Sequence, residues 1–167
     1  MAANAFQRMI FSLIIAIVCA GLCTAQTHIG EGPHVSLVLR ANTDYILDGD
    51  VIVFVSLTVE EGAELDCNEH ELYVAGDVFI NNEDGGNPEN PPIFKNYEDI
   101  IFYEADELVA RSANFGTAEE PAMSFVKIEE CCGEYTFIDC HFNIENTIGL
   151  EIVGGISGNL GLIQGAK

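Results

Sequence analysis

Residues 57–81, LTVEEGAELDCNEHELYVAGDVFIN, decide the fold. Leu57, Val59, Ala63, Leu65 and Cys67 hold the odd positions, while Thr58, Glu60, Glu64, Asp66 and Asn68 hold the even ones. That alternation is the period-two signature of a strand with one buried face. After Asn68-Glu69-His70 the phase inverts, and Leu72, Val74, Val78 and Ile80 carry the apolar face on even numbers. A polar bend that resets the register between two short β runs lets a chain turn a corner while keeping one face inward.

Outward from this stretch the same character continues. Residues 35–39 and 45–55 precede it as β-rich runs, and 93–110, 125–128, 135–144, 148–153 and 160–163 follow it. The last four begin at Phe125, Tyr135, Ile148 and Leu160 with turn residues between them, and short runs at such even intervals indicate an all-β domain. No window sustains a 3.6-residue period, so helix content is expected to be low. Gly49-Asp50-Val51 returns as Gly76-Asp77-Val78, a recurrence whose spacing fits one coil of a solenoid. Residues 81–92, NNEDGGNPENPP, have no apolar anchor and read as the longest loop.

Residues 1–25 read as a secretory signal peptide. Arg8 precedes an apolar run broken only by Ser12, and Cys23-Thr24-Ala25 offers small residues for cleavage before Gln26. The run is short for a spanning helix, and no later segment is apolar and long enough to cross a bilayer. A secreted, extracellular location is the expectation. Cleavage after Ala25 leaves a mature chain from Gln26 to Lys167, enough for one domain with a core. Residues 26–44 read as a lead-in with a first strand, and 45–167 as the main β domain.

All 27 acidic residues fall after the leader with five basic ones, giving 5 − 27 = −22. Such a field repels nucleic-acid phosphates and anionic membranes, and it favours cationic partners. The acids alternate with apolar residues, so they belong to folded strands and not to a disordered tail. Cys67, Cys131, Cys132 and Cys140 remain after cleavage, an even number that permits two disulfides in three connectivities. The adjacent Cys131 and Cys132 lack the spacing of zinc ligands.

Residues 135–146, YTFIDCHFNIEN, resemble the coil pattern of the pectin-lyase-like right-handed parallel β-helix superfamily, in which runs of the type x-F-x-N/D-C-x-F-x-x-N recur once per turn. Residues 65–72, LDCNEHEL, are similar to an LDC-N-G-H-x-I element common near the start of such helices, with Glu69 where glycine is usual. The resemblance implies an all-β, right-handed parallel β-helix, and at about 22 to 27 residues per coil the chain would wind five or six turns. Asp66 and Asn68 suit the bends between faces, because their side chains bond their own backbone. Open ends would expose unpaired strand edges, so a short helix of this kind is expected to be a truncated member or one completed by self-association. A β-sandwich is the alternative fold.

Lyases of this family need calcium-binding acids with a proton-abstracting base, and hydrolases need clustered carboxylates. Asp48, Asp50, Asp66 and Asp77 are the acids an enzymatic reading would use, as a small or fragmentary polysaccharide lyase, epimerase or hydrolase. Asp48 and Asp50 would project from one strand face about 6.5 Å apart, but alternating acids on a wet face do so throughout this chain. Arg40, Lys95, Arg111 and Lys127 are the available bases. Asn82, Glu83, Asp84 and Glu89 supply oxygen ligands of the kind calcium takes, without any known calcium-loop spacing. Tyr73, Phe79 and Tyr135, placed outward, would form a sugar-stacking strip. With no convergent catalytic set in the sequence, the favoured reading is non-enzymatic: an extracellular β-helix with a structural or carbohydrate-associating role. It would need no cofactor, and its partner would be a polysaccharide or a second copy of itself.

Overall fold

The computed structural model describes residues 26–82, 86–117, 125–130, 134–143, 149–153 and 162–164. The leader, Glu83, Asp84, Cys131 and Cys132 lie outside them. The described residues form strands and connecting bends with no helix: β1 Thr27–Ile29, β2 Gly32–Leu39, β3 Asp44–Leu47, β4 Val51–Val59, β5 Glu64–Ala75, β6 Asp77–Ile80 and β7 Ile93–Tyr103. They continue with β8 Glu107–Arg111, β9 Asn114–Phe115, β10 Val126–Glu129, β11 Glu134–Ile138, β12 His141–Phe142, β13 Leu150–Val153 and β14 Leu162–Gln164.

Every pairing among these strands is parallel, and the pairings sort into three ladders. Face A stacks β1, β3, the start of β5, the start of β7, β9 and β12. Face B stacks the first halves of β2 and β4 on the second halves of β5 and β7, then β10 and β13. Face C stacks the second halves of β2 and β4 on β6, β8, β11 and β14. The chain is therefore a parallel β-solenoid with three walls. Antiparallel hairpins, which a β-sandwich requires, are absent from the described residues.

The winding amounts to about four turns, slightly fewer than the five or six expected. Through β8 each face carries strands of three residues or more, whereas β9 and β12 shrink to two residues each. β1 and β2 together form the first turn.

The inverted alternation lies where the solenoid turns its corner between faces A and B. Leu57, Val59, Ala63, Leu65 and Cys67 are buried on one side of it, and Leu72, Val74, Val78 and Ile80 on the other. Asn68 and Glu69 adopt φ of 52° and 64° between them. Asp66 Oδ1 accepts the Asn68 N–H at 2.9 Å, the side-chain-to-backbone bond that makes Asp and Asn suit bends. Asn42, Asn81 and Asn96 occupy the same left-handed region at φ 53°, 49° and 52°. Asparagine tolerates that conformation better than other residues with a Cβ, so it recurs where the walls meet.

Stacking in register builds the core. Phe94, Phe115 and Phe142 lie on successive rungs of face A, with ring centroids 5.0 Å apart and planes within 11° and 6° of parallel. The rung spacing of about 4.8 Å brings like side chains onto one another, and offset aromatic pairs add about 0.5–1.5 kcal/mol beyond their area. Tyr135 belongs to this interior: it is 8% exposed. Its expected outward placement is corrected, because it pairs with Leu108 and continues the inward row of face C.

The Gly-Asp-Val recurrence is not the stacking repeat. Val51 pairs with Leu72, whereas Asp77 pairs with Ser56, so Gly49 and Gly76 stand at different corners. What the two copies share is a bond to the next coil: Asp50 accepts the Glu71 N–H and Asp77 accepts the Glu107 N–H, each at 3.1 Å. Gly76 is fixed by space, since a Cβ there would lie 2.4 Å from the Val55 carbonyl oxygen. Gly76→Ala is expected to lower unfolding stability by about 1–3 kcal/mol, the usual effect of overpacking, read as a shift of the urea midpoint at constant slope.

Candidate functional site

On face A, Leu65 stacks on Tyr45 and Phe94 stacks on Leu65, so the second of these coils consumes more chain than the first. The surplus is the loop after β6. It begins at Asn81, which is 4% exposed although polar. Asn81 Nδ2 donates to the Asn87 carbonyl at 3.3 Å and its Oδ1 accepts the Asn87 N–H at 3.2 Å, so one amide closes the loop on itself. Asn87 Nδ2 reaches back to Glu61 Oε2 at 2.7 Å, and Arg111 Nε donates to Asn82 Oδ1 at 3.3 Å. A Cβ on Gly86 would meet the Arg111 side chain at 2.7 Å, so the loop lies hard against β8.

Held in this way, the loop walls a cleft of about 650 Å³ against the outer side of face C. Thr58 and Phe79, neighbours across the β4–β6 ladder, form its floor. Ala41, Glu60 and Glu61 edge it on one side, and Asn81, Asn82, Gly86, Asn87 and Pro88 on the other. The volume lies within the range of small-ligand sites. Its lining combines an aromatic ring with carboxylates and side-chain amides, which together can stack on an apolar ring face and bond hydroxyls as donor and acceptor.

Glu60 is the best-defined charge in it. Its Oε2 accepts the Ala41 N–H at 2.9 Å and its Oε1 accepts from Arg40 Nη1 at 2.7 Å. The backbone donor first, then the Arg40 guanidinium, hold this carboxyl below its ordinary 4.5. At the corner between faces A and B, Glu71 moves the other way: burial pushes it up, and Asp50, Glu98 and Asp99 add to the shift.

The other acids singled out in the sequence do not gather. Asp48 Oδ1 lies 2.7 Å from His28 Nδ1, and Asp50 accepts from the Glu71 backbone. Asp66 accepts from Asn68 and from Asn96 Nδ2 at 3.1 Å, and Asp77 from the Glu107 backbone. Each of the four bonds to another turn of the solenoid, and none lines the cleft. The bases are likewise engaged: Arg40 with Glu60, Lys95 with Glu64, Lys127 with Glu129, and Arg111 with Asn82.

Tyr73 lies outward on face B beside Tyr103, Phe79 outward on face C in the cleft, and Tyr135 in the core. The three aromatics thus lie on two outer faces and in the interior, and make no common strip. That Glu60, Glu61 and Asn87 line one cleft with Phe79 is not legible in the sequence, because which side chains come together across coils and loop follows from the coil length.

Of the calcium candidates, Glu83 and Asp84 lie outside the described residues. Asn82 gives its carbonyl oxygen to a guanidinium, and a cation placed there would face that positive charge. Among the described residues no three His, Cys, Asp or Glu side chains come together as a metal site.

Cys67 and Cys140 are buried free thiols, so neither takes part in the two disulfides the even count permits. They sit on different corners: Cys67 ends the face A run of β5, while Cys140 precedes β12. Burial raises the Cys67 thiol far above its ordinary value and pushes Cys140 up to about 11. No helix among the described residues is long and apolar enough to cross a membrane. No protein-family model, curated protein or solved structure matches the chain.

Two outcomes follow from this geometry. A carboxyl lowered by folding contributes stability that is full above 4.5 and lost as pH falls through its lowered value; a raised one contributes only at low pH. Glu60→Gln is therefore expected to lower stability at about pH 7 and to flatten its decline on acidification, whereas Glu71→Gln raises stability at about pH 7, both read by denaturant titration at several pH values. Second, Cys67 and Cys140 are expected to resist iodoacetamide in the native protein and to react on unfolding, as mapped by peptide mass spectrometry.

Proposed function

We propose that this chain is a non-catalytic module of an exported protein, a short member of the pectin-lyase-like superfamily, that associates with extracellular polysaccharide. The observation that carries the reading is the cleft on face C, where Phe79 lies with Glu60, Glu61, Asn81 and Asn87. A flat ring offers a platform for the C–H face of a sugar, and the Glu60 and Glu61 carboxylates with the Asn82 and Asn87 amides offer acceptors and donors to its hydroxyls, while Asn81 holds the loop in place. The two glutamates disfavour polyuronates and select neutral or amino sugars.

A non-catalytic role is supported by the use made of the acids. Asp48, Asp50, Asp66 and Asp77 bind one coil to another, so their charge serves the wall and not a reacting centre. The apolar run of residues 9–20 before a small-residue cleavage site supports export. The purified protein is expected to bind a neutral oligosaccharide on a glycan array. In calorimetry, Phe79→Ala is expected to weaken that binding at least about tenfold, some 1.4 kcal/mol, without moving the melting temperature. Absence of binding to any glycan, or equal binding by the variant, sinks the reading.

A further inference from the structure

The outer side of face B carries a second surface, on a different wall from the cleft. Ile52, Tyr73 and Ile101 lie in register on three successive rungs. At the corner leading to face C, Phe54 and Val55 are each 54% exposed, and Val35 on the turn before is 73% exposed. A solvated sheet face normally alternates to polar residues, so three consecutive apolar rungs beside an apolar corner mark a surface built for contact. The corner is rigid, because the Gly76 backbone on the next coil packs on the carbonyls of Phe54 and Val55.

Along the solenoid axis the surface changes character. The Tyr73 and Tyr103 rings lie 5.7 Å apart and 31° from parallel. In the next rung Glu129 stands beside Tyr103, and the Tyr103 hydroxyl donates to Glu130 Oε2 at 3.3 Å. Burial, then Glu129, Glu104 and Glu130, raise the Tyr73 phenol, so three carboxylates act on this ring. The nearby Lys127 is paired with Glu129 and leaves the local balance negative. From Ile52 to Glu129 there are three rung steps, about 14 Å, which an extended peptide covers in about four or five residues.

We infer that the outer side of face B docks an extended, cationic polypeptide segment with its apolar residues toward one end and its basic residues toward the other. Its apolar residues cover Val35, Phe54 and Val55, and its Lys or Arg side chains lie over the tyrosine pair toward Glu104, Glu129 and Glu130. Charge complementarity selects this occupant. A second copy carries the same formal charge of −21 over its whole chain and would set glutamates against glutamates. A cationic polysaccharide would satisfy the carboxylates but has no apolar side chains to cover the exposed corner. Arginine or lysine over tyrosine faces adds cation–π attraction to the charge term.

The test uses fluorescence anisotropy with the purified protein and two labelled peptides of one composition. One segregates its valine and phenylalanine residues from its lysines in two blocks; the other alternates them. The block peptide is expected to bind at least about tenfold more tightly. Phe54→Ser and Tyr103→Ala, both at outward positions, are each expected to remove that advantage with unchanged circular dichroism. Equal affinity for the two peptides overturns the inference, since it reports only attraction to an acidic surface. A concentration-dependent dimer abolished by Phe54→Ser overturns it in favour of a second copy. Binding of an oligoglucosamine with no binding of either peptide overturns it in favour of a polysaccharide.

Discussion

Parallel pairing in register between successive coils is the constraint on which everything else in this protein depends. Each rung satisfies its backbone donors and acceptors on the rungs before and after it, so no strand needs a local hairpin partner. Registry also forces the side chains of one rung directly over those of the next. The core is therefore a set of columns, among them Phe94, Phe115 and Phe142, and Val51, Leu72, Ile100 and Val126. A slip of one residue would turn a whole column outward, which is why the alternation in each run is kept so strictly.

The columns have a counterpart on the outside. Aspartates at the corners accept backbone N–H groups one coil away, as Asp50 does from Glu71 and Asp77 from Glu107. Each of these acids ties one coil to the next, so part of the formal charge of −21 lies in contacts between coils. Glu60 extends the pattern, bonded by the Ala41 backbone and Arg40 at the edge of the cleft. The acidity of the chain is thus partly structural.

With the walls fixed, variation is confined to the corners and outer faces. Between β6 and β7 the corner expands into a loop that Asn81 folds back on itself, and a cleft results on face C. On face B the corner is instead held tight by Gly76, and the outward residues supply the surface. A solenoid allows this because each coil contacts only its neighbours, so one corner lengthens without disturbing the others.

The period-two alternation of residues 57–81, its inversion at Asn68-Glu69-His70, and the inward set on either side were legible in the sequence, because burial of one strand face is a local property of the chain. So was the role of Asp66 and Asn68 at the bend, which rests on a bond between near neighbours in the chain. The coil length was not, which is why the Gly-Asp-Val recurrence stands at two different corners; Tyr135 instead turns inward by the alternation of its own strand, on the same face as buried Phe137. The coil from Tyr45 to Leu65 is shorter than the coil from Leu65 to Phe94, and unequal coils defeat a search for a fixed period. Only the tertiary structure decided that Phe79 lines one cleft with Glu60, Glu61 and Asn87 and that Tyr73 meets Tyr103, since which outer residues become neighbours depends on how much chain each corner consumes.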